Sequence, residues 1–465
     1  MIRGKKIKNQ NLTTIINILS TVILQGIAFF SSPYFSRVLG TQNFGIVSVY
    51  VTWVQVVAIV FGLRINGVLI MGQNEYSGDE QKGFQSSVLF LALMSFVSFS
   101  IITFIINFVI HGKSPLMLLL IFVQGFGQFV VYFANSKFTN EFRADLNFYL
   151  SLFMSVSTIA LSVVLIANSD QATNFWGRII GEVIPYFGVG IVFTGIIFYR
   201  GKTFYNKKYW CFCIPLVIPM IFHGLAGLIL NQSDRVMLDM FTSSAVVGIY
   251  SLAYTFSNVI FVCWSALNNS WVPYYYEYMR NGDLEIINYR LRNYMELFTI
   301  LCCGFMLLSP EVYHVFAGRE FWNGTRMIPI FAISTFFVFL YSFPVNYEIF
   351  YKETKSIAKA SIISALVNIG LNLLLIKNYG AYGAAIATLM SYLLQLLLHH
   401  LKACAVSETK KDYTFKLKDC FPYLICVCCI GALVMLDINA IIRWTIASTL
   451  GIYEMVRMVK RKGIF

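Results

Sequence analysis

Charged side chains are scarce in this sequence. Asp, Glu, Lys and Arg make up 12% of its 465 residues, whereas soluble domains average about 25%. So little charge cannot cover the surface of a globule in water. The hydrophobic fraction is 58%, and the apolar residues come in runs of about 18 to 25, long enough to cross a hydrocarbon core of about 30 Å. The sequence therefore predicts an all-α polytopic membrane protein.

Motifs for covalent or nucleotide chemistry are also missing. There is no GxxxxGK[ST] phosphate loop, and the five His are scattered without a Ser/His/Asp or metal-ligand pattern. All ten Cys lie from position 211 onward, mostly inside apolar runs, and we interpret them as small packing residues. We therefore expect no enzyme activity, no cofactor and no metal site.

The apolar runs predict about fourteen transmembrane helices. The six in the first half are 12–34, 44–63, 85–109, 116–136, 147–168 and 178–198. The eight in the second half are 210–231, 244–269, 294–309, 327–349, 356–376, 381–401, 418–436 and 438–456.

The distribution of the basic residues predicts how the chain is oriented in the membrane. Of the 35 Lys and Arg, 27 fall on the side of the N-terminus and 8 on the other side. Basic loops stay in the cytoplasm, so both termini are predicted to be cytoplasmic. The net charge of +13 is spread over these short loops. It fits anionic lipid headgroups, and we expect no nucleic-acid partner.

A repeat divides the chain. "QGIAFFSSPYFSRVL" (25–39) and "HGLAGLILNQSDRVM" (223–237) share Gly, Ala, Arg and Val in register. "FGIVSVY" (44–50) and "VGIYSLAY" (247–254) continue the match. Six spans separate the copies, so both have the same orientation. We predict two parallel six-helix lobes, 1–208 and 209–405, followed by two appended helices and a basic tail in 406–465.

Three stretches carry a family resemblance: "SSPYFSRVLGTQNFGIVSVY", "NQSDRVMLDMFTSSAVVGIYSLAY" and "YGAYGAAIATLMSYLLQ". With the span count, they make the chain resemble the Wzx-type polysaccharide (oligosaccharide-lipid) flippases of the multidrug/oligosaccharidyl-lipid/polysaccharide exporter superfamily. The resemblance implies alternating access around a central cavity, in a bacterial cytoplasmic (inner) membrane. The substrate would be an undecaprenyl-diphosphate-linked oligosaccharide unit for a surface polymer such as O-antigen or capsule. Membrane lipids, a polysaccharide polymerase, a chain-length regulator and a coupling H⁺ or Na⁺ are the partners it suggests.

Ionisable residues inside spans are the candidate site, because each costs about 2.5–3.5 kcal/mol on insertion scales unless it faces a cavity or a partner. Four cations are candidate diphosphate ligands: Arg37, Arg64, Arg235 and Lys359. For each of the three Arg, anchoring at the membrane interface is the alternative. Arg37 and Arg235 occupy matching positions in the repeat and would face each other across the pseudo-axis.

The remaining polar candidates have mixed interpretations. Arg178 and Glu182 stand four residues apart and should form an ion pair, with Glu182, Arg178 and Asp234 also candidates for ion coupling. His223, Asn368 and Asn372 could line the cavity, or be satisfied by hydrogen bonds between helices. We expect Glu348 to reach the cytoplasmic interface.

The charge balance of these positions favours an anionic substrate, since the cations outnumber the acids Glu182, Asp234 and Glu348. Three alternatives stay open: a lipid II flippase for peptidoglycan, a multidrug or cation antiporter of the same superfamily, and a membrane-embedded glycan ligase or polymerase. The last would normally need a large external loop. The sequence contains none.

Overall fold

Long apolar runs with few internal breakers dictate a helical chain, and the computed structural model consists of helices throughout the part of the chain that it describes. It describes the backbone of residues 2–110, 114–141 and 143–461, and side chains from residue 26 onward except those of 28, 223 and 461. Within these ranges there are thirteen α-helices and no strand. The predicted fold class is confirmed.

The helices follow one another with short connections. In the first half they are α1 (Ile2–Val60), α2 (Leu69–Glu75), α3 (Gly78–Val109), α4 (Pro115–Asn140), α5 (Ala144–Ala167) and α6 (Asn174–Gly201). The second half contains α7 (Lys207–Phe241), α8 (Ser244–Asn281), α9 (Leu284–Phe316), α10 (Ile328–Phe350), α11 (Thr354–Lys410), α12 (Leu417–Met435) and α13 (Ala440–Arg461). Two 3₁₀ segments, Ile65–Val68 and Arg319–Met327, precede α2 and α10.

Eleven helical segments of the described chain are long and apolar enough to cross a membrane. They contain twelve of the fourteen predicted spans. The helices α1 and α11 each join two predicted spans through a break, but the counted segment of α1, Phe29–Val60, excludes most of the span 12–34. The breaks fall at Gly40 (φ 67°) and Gly380 (φ 54°), where the backbone enters the left-handed region that glycine adopts without a steric penalty. Of the first predicted span, the side chains before residue 26 lie outside the described residues.

The last predicted span, 438–456, falls in α13, which is not apolar enough to count among the eleven segments. Its charges are turned inward: Arg443 pairs with Glu311 and Arg457 with Glu296, both on α9. Ile441, Ile442 and Met455 form part of an exposed apolar face instead. Because hydropathy counts every charge as exposed to lipid, it underrates a helix whose charges are paired inside the protein.

The chain divides into two compact units. The N-terminal unit comprises Met1–Leu39 and Ile46–Leu228, and the C-terminal unit comprises Gly40–Gly45 and Ile229–Phe465. The division thus falls inside α7, whereas the sequence suggested a boundary at 208/209. The first half of α7 packs in the N-terminal unit: Tyr209 contacts Tyr76 and Phe84, and the Trp210 indole donates to Ser87 O at 3.2 Å.

Each unit has its own apolar core. In the N-terminal unit the core is built around Phe84, Phe129 and Phe133, all but inaccessible to solvent. The C-terminal unit has a more aromatic core of stacked and edge-on rings, which includes Trp271, Tyr294, Phe298, Phe336 and Phe339. Such ring pairs add to the stability gained from burial alone.

The two Gly-Ile motifs of the repeat meet through their glycines. Within the C-terminal unit, a Cβ on Gly248 would lie 2.0 Å from Thr41 O and 3.2 Å from Gly45 N, and a Cβ on Gly45 would lie 1.7 Å from Ser244 O. Two backbones therefore approach as closely as glycine allows. The Phe44 ring packs edge-on to Phe321 beside this contact, at 5.6 Å between centroids.

We predict that Gly248→Ala lowers the thermal unfolding temperature of the purified protein by several degrees. A methyl group there meets backbone that can only move as a unit, and overpacking costs about 1–3 kcal/mol. Gly304→Ala in α9 is the matched control, since nothing lies within 4 Å of its Cβ position. There, alanine should hold or raise the unfolding temperature. Equal unfolding temperatures for the two variants would contradict the close contact.

Candidate functional site

Asp234, one of the predicted site residues, is a buried acid in the C-terminal unit. It lies in the second half of α7 and is 2% exposed. Three neutral donors reach its carboxylate: Tyr250 Oη at 2.5 Å and Thr388 Oγ1 at 2.7 Å, both to Oδ2, and Asn372 Nδ2 at 2.6 Å to Oδ1. Burying a carboxylate is tolerable only with such compensation. The three bonds link α7 to α8 through Tyr250, and to both halves of α11, through Asn372 in the first half and Thr388 in the second.

The amide groups beside Asp234 extend this network. Asn372 Nδ2 also reaches Asn368 Oδ1 at 3.0 Å, and the Ser233 hydroxyl donates to the same oxygen at 3.2 Å. Asn368 and Asn372 are both 0% exposed, so they bond between helices inside the unit. Asn372 Oδ1 and Asn368 Nδ2 are buried and have no hydrogen-bond partner among the described residues.

A single side-chain rotation would therefore surround this position with oxygen atoms as possible ligands. Turning the Asn372 amide through a half-circle would bring its partnerless Oδ1 toward Asp234. Carboxylate, amide and hydroxyl oxygens from Asp234, Asn372 and Thr388 would then converge. Hard cations bind such oxygen sets. As it stands, the same carboxylate can equally take up a proton.

Arg235 follows Asp234 but points elsewhere. Its Nε donates to Ser251 Oγ at 3.0 Å, and its guanidinium carbon lies 5.1 Å from the centre of the Tyr254 ring. The residue is 8% exposed. It is thus held by a hydroxyl and an aromatic face in the interior of the C-terminal unit.

The N-terminal unit contains the ion pair predicted in α6. Arg178 and Glu182 are 2.6 Å apart, and Gln124 Nε2 donates to Glu182 Oε2 at 2.9 Å. Tyr50 Oη in turn donates to Gln124 Oε1 at 2.8 Å. Arg178 also lies over the Phe35 ring at 4.1 Å. Glu182 therefore forms a direct ion pair, whereas the hydrogen bonds to Asp234 from the described residues come from neutral groups.

Arg64 stands in a strained turn where α1 has ended. Its φ is 44°, and that of the preceding Leu63 is 55°, so two side-chain-bearing residues in succession adopt the left-handed conformation. The partly buried guanidinium packs against the backbone of Gly224, where a Cβ would lie 1.8 Å from one of its nitrogens. It has no ion pair or hydrogen bond to any side chain that the structure describes. Strain of this kind concentrates at functional sites.

The other predicted residues lie on the surface or outside the described side chains. Arg37 and Lys359 are exposed on α1 and α11. The side chain of His223 lies outside the described residues. Their proposed roles as substrate ligands therefore stay predictions.

The expectation for Glu348 was wrong. Instead of reaching the interface it is 0% exposed, bonded to Ser356 and to His399, whose Nδ1 lies 2.7 Å from Glu348 Oε1. The sequence could not reveal this pair, because the partners are 51 positions apart and lie on different helices. The Arg443–Glu311 and Arg457–Glu296 pairs were missed for the same reason.

All ten cysteines are free thiols. Cys303 and Cys426 come nearest to one another, at 4.0 Å between sulfurs, where α12 packs on α9. Over the described ranges, no group of three or more His, Cys, Asp or Glu could hold a metal ion.

Together, the long apolar helices and the charges paired between them are typical of a polytopic membrane protein. A solved structure of the lipid II flippase MurJ, in an inward closed conformation, matches with a TM-score of 0.70 and 17% identity, over 96% of this chain and 99% of that one. At 17% identity, this match shows a shared fold and nothing about function.

Residues 13–279 match the family model described as "Polysaccharide biosynthesis protein", and the chain belongs to this family. An uncharacterized membrane protein of Haemophilus influenzae is 24% identical over 353 residues, 74% of this chain and 85% of its own length. The probable low-salt glycan biosynthesis flippase Agl15 of Haloferax volcanii is 21% identical over 389 residues, 80% of this chain and 79% of its own length. The resemblance predicted from the sequence is confirmed.

For the α6 ion pair we predict a non-additive stability cycle. Arg178→Ala and Glu182→Ala should each lower the unfolding temperature, because each leaves a largely buried charge without its partner, at a cost of about 3 kcal/mol. The double variant Arg178→Ala/Glu182→Ala should lose less than the sum of the two single changes, because neither charge is then left without its partner. Thermal unfolding in detergent measures all three. Strictly additive losses would mean that the two charges do not interact.

Proposed function

We propose that this protein is a flippase that moves a polyprenyl-diphosphate-linked oligosaccharide unit from the cytoplasmic to the outer leaflet of the cytoplasmic membrane, for surface polysaccharide synthesis. It would act without covalent chemistry, by alternating access, with both termini in the cytoplasm. The family supports a role in polysaccharide biosynthesis. The archaeal relative, named as a glycan biosynthesis flippase, supports the mode of action.

The observation that supports the substrate class is that Arg64 has no ion pair or side-chain hydrogen bond among the described residues. In contrast, Arg178 and Arg443 each pair with a carboxylate, and Arg235 contacts a hydroxyl and an aromatic ring. Arg64 instead rests on a glycine that leaves space for it. A diphosphate would supply the missing acceptor through charge-assisted, bidentate hydrogen bonds. The exposed cations Arg37 and Lys359 would be further contacts for an anionic head group.

Asp234 is the better of the two candidates for ion coupling. Glu182 forms a direct ion pair with Arg178, whereas the hydrogen bonds that Asp234 accepts from the described residues come from neutral groups, and its neighbour Arg235 donates to Ser251. A buried carboxylate without a direct ion pair favours the uptake of a further cation, either H⁺ or Na⁺. We assign Arg235 to shaping this site and not to binding the substrate.

A lipid II flippase is the second candidate, because the lipid II flippase MurJ shares the fold over nearly the whole chain. Its substrate also carries a polyprenyl diphosphate, so Arg64 would serve it equally well. A drug antiporter fits less well, because it would move cations past Arg64, which has no acidic partner among the described residues.

We predict that Arg64→Ala reduces surface polysaccharide at least tenfold in a strain that depends on this protein. Arg64→Lys should retain a small part of the activity, since lysine keeps the charge and loses the bidentate geometry. Arg143→Ala is the control, because Arg143 is exposed and already paired with Asp145. The assay follows surface polymer together with the lipid-linked precursor that accumulates in the inner leaflet.

Unchanged export in both Arg64 variants would rule out this residue as a diphosphate ligand. Rescue of cells depleted of their own lipid II flippase would instead favour the second candidate. If the protein moves neither lipid but exports a cationic drug, the antiporter function would replace both flippase functions.

For Asp234→Asn we predict loss of ion-driven transport, while slow downhill exchange persists. The amide keeps the hydrogen-bonded shape and removes the negative charge that attracts a cation. Flux in proteoliposomes under an imposed H⁺ or Na⁺ gradient distinguishes the two ions. Asp239→Asn is the matched control on the same helix, since Asp239 is bonded only to the Ser244 hydroxyl near the helix end. A gradient response that survives in Asp234→Asn would remove Asp234 from the coupling mechanism.

A further inference from the structure

A second polar cluster lies apart from Asp234, where α10 meets α11. Glu348 is two residues from the end of α10 and is 0% exposed. Ser356, in the first turn of α11, donates its hydroxyl to Glu348 Oε2. His399, in the second half of α11 beyond the break at Gly380, places Nδ1 2.7 Å from Oε1 and is 2% exposed. One carboxylate thereby joins three helical segments.

The surrounding ionisable groups have partners of their own. Glu353 pairs with Lys402 at 3.1 Å, and the His400 ring nitrogen lies 3.2 Å from Tyr413 Oη. Asp412 accepts hydrogen bonds from Tyr347, at 2.6 Å, and from Tyr351. On its other side, His399 is covered by the ring of Tyr341, with centroids 5.8 Å apart.

The net charge of the cluster therefore depends on the protons that Glu348 and His399 hold between them. Ser356 is a neutral donor, so an ionised Glu348 beside a neutral imidazole would leave a net negative charge with almost no access to water. An isolated buried carboxylate is strongly disfavoured. One additional proton on the imidazole turns the cluster into a neutral, hydrogen-bonded ion pair. This state satisfies both carboxylate oxygens.

We propose that Glu348 and His399 form a proton-binding site of the C-terminal unit, separate from Asp234, with the bound proton holding the start and the second half of α11 against α10. Loss of the proton as the pH rises leaves the carboxylate without a cation and loosens this junction. The same helix carries Asn372 and Thr388, which bond Asp234. The effect on transport rests on the proposed function; the proton itself does not.

Histidine-selective NMR of the full chain in lipid nanodiscs tests the site directly, because the sequence has only five His. His399→Gln assigns the resonance. At pH 7.5, where a free imidazole is mostly neutral (ordinary pKa about 6.5), His399 should give the spectrum of an imidazolium. In Glu348→Gln it should give that of a neutral ring, and in the control His400→Gln it should stay charged. A neutral His399 in the unaltered protein, or a spectrum unchanged by Glu348→Gln, overturns the proposal.

Two further variants keep the test decisive if a single substitution impairs folding or transport. Glu348→Gln/His399→Gln removes both charges and keeps hydrogen-bonding side chains, so its unfolding temperature should not change between about pH 6.5 and about pH 9, whereas that of the unaltered protein should fall. An equal fall in both overturns the proposal even if Glu348→Gln alone folds poorly. In Asp234→Asn, the His399 imidazolium should persist whether or not transport is lost. A failure of the flippase proposal is thus separable from a failure of this one.

Discussion

Pairing of polar groups between helices is the constraint on which this structure depends, because a hydrocarbon medium cannot solvate an ion. Arg443 and Arg457 reach carboxylates on α9, and Arg178 reaches Glu182 one turn away. The pairs decide which face of a helix turns inward. For α13 the result is an exposed apolar face and a charged face packed on α9, an arrangement that stabilises a helix whose hydropathy alone would argue against it.

Most of the fold follows from the sequence, because the length of an apolar run and the placement of Lys and Arg are local properties. The helices, their approximate limits and the internal repeat could all be predicted in this way. The breaks at Gly40 and Gly380 were anticipated only as connections between spans. Two further features depend on tertiary contacts. The chain stays helical on both sides of each break, and the repeated glycines Gly45 and Gly248 pack on each other.

The site was less predictable for a related reason. A pair four residues apart, such as Arg178 and Glu182, is visible in the sequence because helix geometry places both on one face. Asp234 and Asn372 are separated by 138 positions, and Glu348 and His399 by 51. No periodicity relates such positions. Their proximity follows from the way the two halves of α11 pack against α7 and α10.

The exceptions to pairing are the most informative positions. Arg64 is a partly buried cation without an acidic partner among the described residues, and Asp234 is a buried anion whose donors are all neutral. An anion brought from outside the protein would complement Arg64, and a cation would complement Asp234. These two positions therefore carry the proposal of a carrier for a diphosphate-linked lipid that is driven by a cation, because such a carrier needs a place for each kind of charge.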